Sequence, residues 1–148
     1  GFASFVSMQS QYNLIYREEE REMAPLCLSE GVGMIPWSPL ARGLLAGNRA
    51  ASTMRAQTDE QMAQWYTDEA EQPIIDAVSD IARARGTSAA RVALAWLLSK
   101  QPVSAPIIGA SNPKHIDDAA AALKFEMSAE EIQQLEAPYR PRQIIAYR

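Results

Sequence analysis

The first half of the chain alternates short apolar runs with one helical stretch. Residues 5–9 (FVSMQ) alternate apolar and polar side chains, which predicts a β-strand. Residues 18–30 begin with acidic side chains, which favour a helix N-terminus, and Pro25 fits this helix if it lies in the first turn. Gly31 can end the helix, and the apolar residues 32–35 then predict a buried strand.

The stretch that follows predicts a long loop and two helices. Residues 41–71 are rich in Ala, Thr, Gln and Asp and predict a loop that carries some helix; long loops of this kind often cover a site. Apolar residues at helical spacing after Pro73 predict a helix that Gly86 ends. Ser88 can cap the next helix, which is apolar on nearly all sides and is therefore expected to be buried.

The last third predicts one more strand and two helices. Residues 107–108 predict a short strand, and Asn112 followed by proline predicts the capped start of a helix through residue 123. Ser128 and Glu131 have the spacing of a capping box, which predicts a final helix. The complete order, βαβ-loop-ααβαα, is typical of parallel strands joined by helical crossovers and predicts an α/β fold. A doubly wound sheet and a piece of a (β/α)-barrel both fit three strands.

Composition and charge narrow the classes of function. The chain has 148 residues with one Cys and one His, so it has neither a disulfide framework nor the ligands of a structural zinc site, and we predict no metal. No apolar run approaches 18 residues, which predicts no membrane span, and the lone Cys predicts a cytoplasmic protein. Residues 1–74 carry five basic and ten acidic side chains, so we predict no nucleic-acid partner.

The ends of the predicted strands carry the candidate chemistry. Trp37 follows the second strand, where it can either stack on a planar heterocycle or close the core as a rim aromatic. Gln9 ends the first strand and can bond an amide of the same ligand. Gly109 and Ser111, with His115 behind them, form either an anion site at a helix start or an ordinary capped helix. Together these positions outline a dinucleotide site on one rim.

The GVG sequence at residues 31–33 is a weaker candidate. Phosphate-binding glycines follow a strand and open a helix, whereas this pair of glycines precedes its strand. We therefore do not assign it to a nucleotide.

Seven motifs in order resemble the aldo-keto reductase family over essentially the whole chain. They are FVSMQ (5–9), YNL (12–14), RE (17–18), GVG (31–33), PWSPLARG (36–43), VALAWLL (92–98) and IIGAS (107–111). The tryptophan at position 37 is more similar to the bacterial and potassium-channel β-subunit branch than to the animal steroid reductases. The resemblance implies a TIM barrel that binds NADPH and reduces aldehydes and ketones.

By this resemblance, residues 1–148 match the C-terminal portion of the barrel, its last three βα units and C-terminal helices. The start at Gly1 instead of Met fits this expectation of a piece cut from a longer barrel. The expected partners are then the N-terminal catalytic part and a small carbonyl substrate. Assembly into a homo-oligomer is a further option that the sequence leaves undecided. The family's catalytic Tyr, Asp, Lys and His belong to earlier strands, so no catalytic residue is assigned in this chain.

The resemblance also assigns cofactor contacts. Gln9 is similar to the glutamine that bonds the nicotinamide carboxamide, and Trp37 to the aromatic residue that stacks on the ring. Ser38, Pro39, Leu40 and Arg42 are similar to the loop that contacts the pyrophosphate. After the last strand, Gly109 is similar to a cofactor-binding glycine, and Ser111 and His115 to the residues that hold the 2′-phosphate. Asp118 is similar to the acid that contacts adenine, and Arg55 to a basic residue of the long loop over the cofactor.

Three positions depart from the family pattern. Ala119 replaces an asparagine beside the adenine-contacting acid, Asn48 replaces a lysine, and His115 replaces the usual Arg or Gln. NADPH is therefore preferred to NADH without being fixed. Two alternatives to an enzyme remain, a catalytically silent NADP-binding regulatory subunit and a truncated structural remnant.

Overall fold

The computed structural model describes residues 1–47, 66 and 71–142. Two short parallel strands, β1 (Ser7–Met8) and β2 (Gly33–Met34), pair with Ser7 opposite Gly33 and Met8 opposite Met34. The pairing continues to a parallel bridge between Gln11 and Trp37. These strands confirm both predicted strands of the first half in shortened form; Phe5 and Val6, which precede β1, have exposed side chains, and the Val6 carbonyl still accepts the Gly33 N–H at 3.1 Å.

A third extended segment, residues 102–107, runs along the other side of β2. The Met34 N–H donates to the Pro102 carbonyl at 2.6 Å, the Ser104 N–H donates to the Met34 carbonyl at 2.8 Å, and the Ile107 N–H donates to the Pro36 carbonyl at 2.8 Å. β2 therefore lies in the centre, between β1 and this segment.

The predicted strand at residues 107–108 is wrong. The parallel bridge to β2 is made at Val103 instead, and both Ile107 and Ile108 are exposed. Pro102 and Pro106 explain the difference, because neither has a backbone N–H to donate to a ladder.

Five α-helices are present in the described ranges: α1 (Met23–Glu30), α2 (Gln72–Ala84), α3 (Ala89–Leu98), α4 (Pro113–Ala122) and α5 (Ala129–Glu136). Each of the five was predicted, within a few residues at the ends. Two 3₁₀ helices, Glu18–Glu20 and Ala41–Ala46, complete the elements. The acidic run thus forms a separate 3₁₀ turn, and α1 begins late enough for Pro25 to lie in its first turn.

The predicted caps are present. The side chains of Ser88, Asn112 and Ser128 accept backbone N–H groups at the starts of α3, α4 and α5, and Ser128 with Glu131 forms both bonds of a capping box. Gly31 ends α1 with φ 65°, a left-handed conformation that glycine adopts without steric cost.

Helix α3 lies inside the molecule. Six consecutive residues, Val92 to Leu97, are buried, because α3 packs against α2, α4 and the 3₁₀ helix Ala41–Ala46. The apolar stripe of α2, with Ile74, Val78 and Ile81, joins the same core. Of the predicted loop at residues 41–71, only the first seven residues, Tyr66 and Glu71 are described.

A group of charged side chains surrounds the buried Trp96 ring; we call Arg17, Glu20, Trp96, Lys100 and Glu136 the Arg17 cluster. The Trp96 Nε1–H donates to Glu136 Oε1 at 2.8 Å, and Lys100 pairs with the same oxygen. Arg17 Nη2 lies 2.7 Å from Glu20 Oε2 and 3.4 Å from Glu136 Oε2. The two cations lie over the indole ring, with Arg17 Cζ at 5.5 Å and Lys100 Nζ at 4.8 Å from its centroid.

Among the described residues, none of the helices has both the length and the apolar character needed to cross a membrane. The same residues contain no group of three or more His, Cys, Asp or Glu side chains that could hold a metal ion.

Candidate functional site

The ends of the three extended segments meet at one edge of the sheet. Gln11, just after β1, forms the bridge to Trp37, just after β2, and the Trp37 N–H donates to the Ser10 carbonyl at 2.9 Å. The third segment reaches the same edge through the Ile107 bond to Pro36, two residues before Gly109. The C-terminal ends of parallel strands are where α/β folds bind ligands, so this edge is the candidate site.

The predicted amide and stacking residues differ in exposure at this edge. Gln9 is exposed, and Trp37 is half-buried. Pro39 is buried, and Leu40 packs against the core, so these two anchor the turn instead of presenting polar groups.

The backbone from Ser38 to Arg42 is strained. Ser38, Ala41 and Arg42 have φ angles of 55°, 47° and 56°, and they are the only non-glycine residues with positive φ in the described ranges. A left-handed conformation costs about 1–2 kcal/mol for each L-residue, so it persists only where the surroundings enforce it. Such residues cluster at functional sites. The strained backbone therefore supports a functional role for the turn after β2, and the sequence of the turn does not indicate this strain.

The Gly109 end of the site is open. Gly109, Ser111 and His115 are all exposed. The first amides of α4 are engaged by its cap, since the Lys114 N–H donates to the Asn112 side chain and the His115 N–H to the Asn112 carbonyl. An anion here would therefore rely on the glycine segment and on side chains more than on the helix amides, which modifies the predicted arrangement.

Asp118 is held by an ion pair. Its Oδ1 lies 3.2 Å from Arg91 Nη2, and its side chain is only 14% exposed. The neighbouring Ala119 packs against Leu94 and Ala95 of α3. Ala119 thus contributes to the packing between α3 and α4 and has no side-chain group that could bond an adenine.

Two of the positions singled out from the sequence, Arg55 and Asn48, lie outside the described residues. Tyr12 and Lys100 both belong to the surroundings of Trp96, where the Tyr12 hydroxyl donates to Glu20 at 2.6 Å. Burial and the hydrogen bond to Glu20 raise the pKa of Tyr12, so its phenol is held protonated against a carboxylate.

Sequence reasoning missed three residues that support the turn: Gln11, Asn13 and Tyr66. The Asn13 Nδ2–H donates to the Ser38 carbonyl at 2.9 Å, and Gln11 donates to the Tyr66 hydroxyl at 2.7 Å. The available signal was the polar Gln11 and Asn13 flanking an aromatic residue directly after a strand. No sequence pattern pointed to Tyr66, whose hydrogen-bond partners Gln11 and Asn13 lie more than 50 residues away along the chain.

A separate cleft of about 530 Å³ lies on another part of the surface, beside Arg17, Gln133 and Tyr139. None of the predicted cofactor residues lines it. Its charged groups, Arg17 and Glu136, are already paired with each other, so it is not a second candidate.

Comparisons with known proteins show which family the chain belongs to. The chain is 47% identical over 148 residues to versiconal hemiacetal acetate reductase of Aspergillus parasiticus, in a match that covers 97% of this chain and 43% of that protein. It is 44% identical over 147 residues to an aldo-keto reductase of Fusarium vanettenii, covering 97% and 39%. A thermostable aldo-keto reductase solved with the inhibitor epalrestat superposes with a TM-score of 0.65 at 26% identity, covering 90% of this chain and 39% of that one.

The chain thus spans about two fifths of the length of the curated relatives it matches. The family model described as "Aldo/keto reductase family" matches residues 1–140, nearly the whole sequence. The chain therefore belongs to the aldo/keto reductase family.

Proposed function

We propose that this chain is the cofactor-binding part of an NADPH-dependent aldo-keto reductase, formed by the last three βα units and the C-terminal helices of a TIM barrel. The complete enzyme would reduce small aldehydes or ketones to alcohols. Its similarity to known reductases supports this activity, and the match to about two fifths of their length supports a part of the barrel. The groups that donate a proton and orient the carbonyl would come from an N-terminal part.

The observation that carries the proposal is the meeting of three strand ends at one edge. Gln9 and Trp37 follow two paired strands, with Gln9 exposed and Trp37 half-buried. NADPH would supply the hydride when it is bound. Trp37 would then stack on the nicotinamide, Gln9 would bond its carboxamide, and the turn from Ser38 to Arg42 would contact the pyrophosphate.

The adenosine end would lie at the start of α4. Ser111 and His115 are exposed there and would hold the 2′-phosphate, with Gly109 allowing close backbone approach. Asp118 would accept a hydrogen bond from the adenine amino group. The preference for NADPH over NADH then depends on the 2′-phosphate contacts, of which a histidine supplies a full charge only when it is protonated.

We also propose that the chain belongs to the branch with a tryptophan at the stacking position, which it shares with potassium-channel β-subunits. A catalytically silent NADP-binding subunit of that kind would keep the same cofactor residues. Cofactor binding and carbonyl reduction must therefore be measured separately.

The direct test is calorimetric titration of the folded chain with NADPH. We expect binding, and we expect Trp37→Ala to weaken it about tenfold, because stacking on an aromatic ring contributes about 1–3 kcal/mol. Ser128→Ala, which removes a cap far from the candidate edge, serves as the control and should leave the affinity unchanged. A folded chain that takes up no NADPH at millimolar concentration would refute the cofactor site.

A second assay addresses the missing catalytic part. The chain alone, mixed with NADPH and an aldehyde, should show no oxidation of NADPH at 340 nm. Turnover by this chain would contradict the proposal that the catalytic groups lie in another part of the barrel.

A further inference from the structure

Asn13 is a fully used hydrogen-bonding centre beneath the turn that follows β2. Its side chain is completely buried. Its Oδ1 accepts the N–H groups of Ile15 and Tyr16, both at 2.9 Å. Its Nδ2 donates to the Ser38 carbonyl at 2.9 Å and approaches the Tyr66 hydroxyl at 3.5 Å. An amide has two donors and one acceptor oxygen, so no hydrogen-bonding capacity is left over.

Tyr66 closes this arrangement from the far side. Its ring is 6% exposed, and its hydroxyl accepts the Gln11 Nε2–H at 2.7 Å. The Arg142 guanidinium lies over the ring, with Cζ 5.8 Å from the centroid. Tyr66 is thus fixed by contacts to the end of β1 and to the C-terminal segment.

The Ser38 carbonyl is the point at which Asn13 meets the strained turn. That carbonyl also accepts the Ala41 N–H at 3.0 Å, and the Leu40 carbonyl accepts the Gly43 N–H at 2.9 Å. Three residues of this turn have left-handed backbone angles without being glycine, so the intrinsic conformational preferences of these residues disfavour the observed turn. A buried amide that holds the Ser38 carbonyl supplies the external constraint that such a conformation requires.

We propose that Asn13 and Tyr66 are positioning residues for the dinucleotide: they hold the Ser38 carbonyl and thereby keep the turn from Ser38 to Arg42 in the shape that binds the nicotinamide and pyrophosphate half. The inference rests on the function proposed above. It assigns neither residue a contact with the cofactor. Both act through the backbone of the turn.

Two variants test this, with one matched control. Asn13→Asp is isosteric and keeps the acceptor for Ile15 and Tyr16, but it loses both donors and places an oxygen against the Ser38 carbonyl. Tyr66→Phe removes only a hydroxyl and covers the case in which the first variant does not fold. Tyr139→Phe is the control, because it removes a partly buried hydroxyl that donates to Glu18 at 2.7 Å instead of contacting the turn.

Two ligands separate local from general damage. NADPH spans the whole site, whereas 2′-AMP lacks the pyrophosphate and the nicotinamide and therefore reports only the adenosine end. We expect Asn13→Asp to raise the dissociation constant of NADPH about tenfold, and Tyr66→Phe about threefold, as the loss of one or two hydrogen bonds implies. The dissociation constant of 2′-AMP should stay unchanged in both, and Tyr139→Phe should change neither.

A third measurement does not need the cofactor. Amide hydrogen exchange at Ala41 and Gly43 should speed up in Asn13→Asp and Tyr66→Phe but not in Tyr139→Phe. Unchanged exchange and NADPH affinity would overturn the inference, and so would an equal loss of NADPH and 2′-AMP, which indicates general destabilisation. If the wild-type chain binds no NADPH, the proposed function fails, and amide exchange alone decides whether Asn13 and Tyr66 hold the turn.

Discussion

Replacing Glu136 by glutamine removes the anion that the Arg17 cluster shares. The Glu136 carboxylate accepts from Trp96 at 2.8 Å, pairs with Lys100, and lies 3.4 Å from Arg17. Glutamine keeps the oxygen that Trp96 needs, but it has no negative charge and points an NH₂ group at one of the two cations.

The size of the loss follows from the exposure of the partners. The Arg17 side chain is 10% exposed, and in the variant it would keep its ion pair with Glu20. The Lys100 side chain is 22% exposed, and its remaining anion would be Glu20, whose Oε1 lies 3.9 Å from Lys100 Nζ, at the outer limit of an ion pair. A hydrogen bond to a charged group contributes about 1.5–3 kcal/mol, and solvent reduces this where side chains are partly exposed. We therefore expect Glu136→Gln to lower the free energy of unfolding by about 2 kcal/mol.

Urea denaturation at pH 7, followed by tryptophan fluorescence, measures this loss. Glu126→Gln is the control, because it removes the same charge from an exposed side chain and should change the free energy of unfolding by less than about 0.5 kcal/mol. If Glu136→Gln costs no more than the control, the cluster contributes nothing net and the reasoning is wrong.

Two further predictions concern pH and backbone conformation. Burial raises the pKa of Glu136, but hydrogen bonds from Lys100 and Trp96 outweigh this effect and leave the pKa below its usual value. The pKa of Glu18 is also lowered, because hydrogen bonds from the Arg142 amide and the Tyr139 hydroxyl outweigh the effect of burial. Because the folded pKa values are depressed, these groups stabilise the fold above about pH 4.5 and lose that contribution as the pH falls further, so urea midpoints should drop between pH 5 and pH 3, less steeply in Glu136→Gln. Gly31→Ala should cost about 1 kcal/mol in urea denaturation, because φ is 65° there and nothing within 4 Å of an added Cβ contributes a clash; an unchanged midpoint would contradict the left-handed helix end.

The helices could be predicted from the sequence because local rules determine their ends. Ser88, Asn112 and Ser128 each cap the helix that follows, and Gly31 ends the first one, all through contacts within a few residues. The strands were harder to place. Their extent depends on pairing with distant segments, and prolines in residues 102–107 reduce that pairing to a single bridge.

The candidate site also combines features that follow from local sequence with features that depend on distant contacts. The sequence placed Gln9, Trp37 and Ser111 directly after extended segments, where Gln9 and Ser111 are exposed and Trp37 is half-buried, and their role in binding a cofactor stays a prediction. The support beneath them could not, since Asn13 reaches Ser38 across 25 residues and Tyr66 reaches Gln11 across 55. The left-handed angles of Ala41 and Arg42 were equally hidden, because neither residue type favours that conformation.

The ion pair between Arg91 and Asp118 ties the proposed adenosine end of the site to the stability of the fold. Arg91 lies in the first turn of α3, where the partial positive charge of the helix dipole makes a cation unfavourable. Asp118 offsets this charge from α4, so removing the carboxylate leaves a cation at the wrong end of a buried helix. Substitution of Asp118 would therefore test the proposed adenine contact only together with the packing of α3 on α4. Substitutions at the exposed Ser111 or His115 test the proposed 2′-phosphate contacts and leave this pair intact.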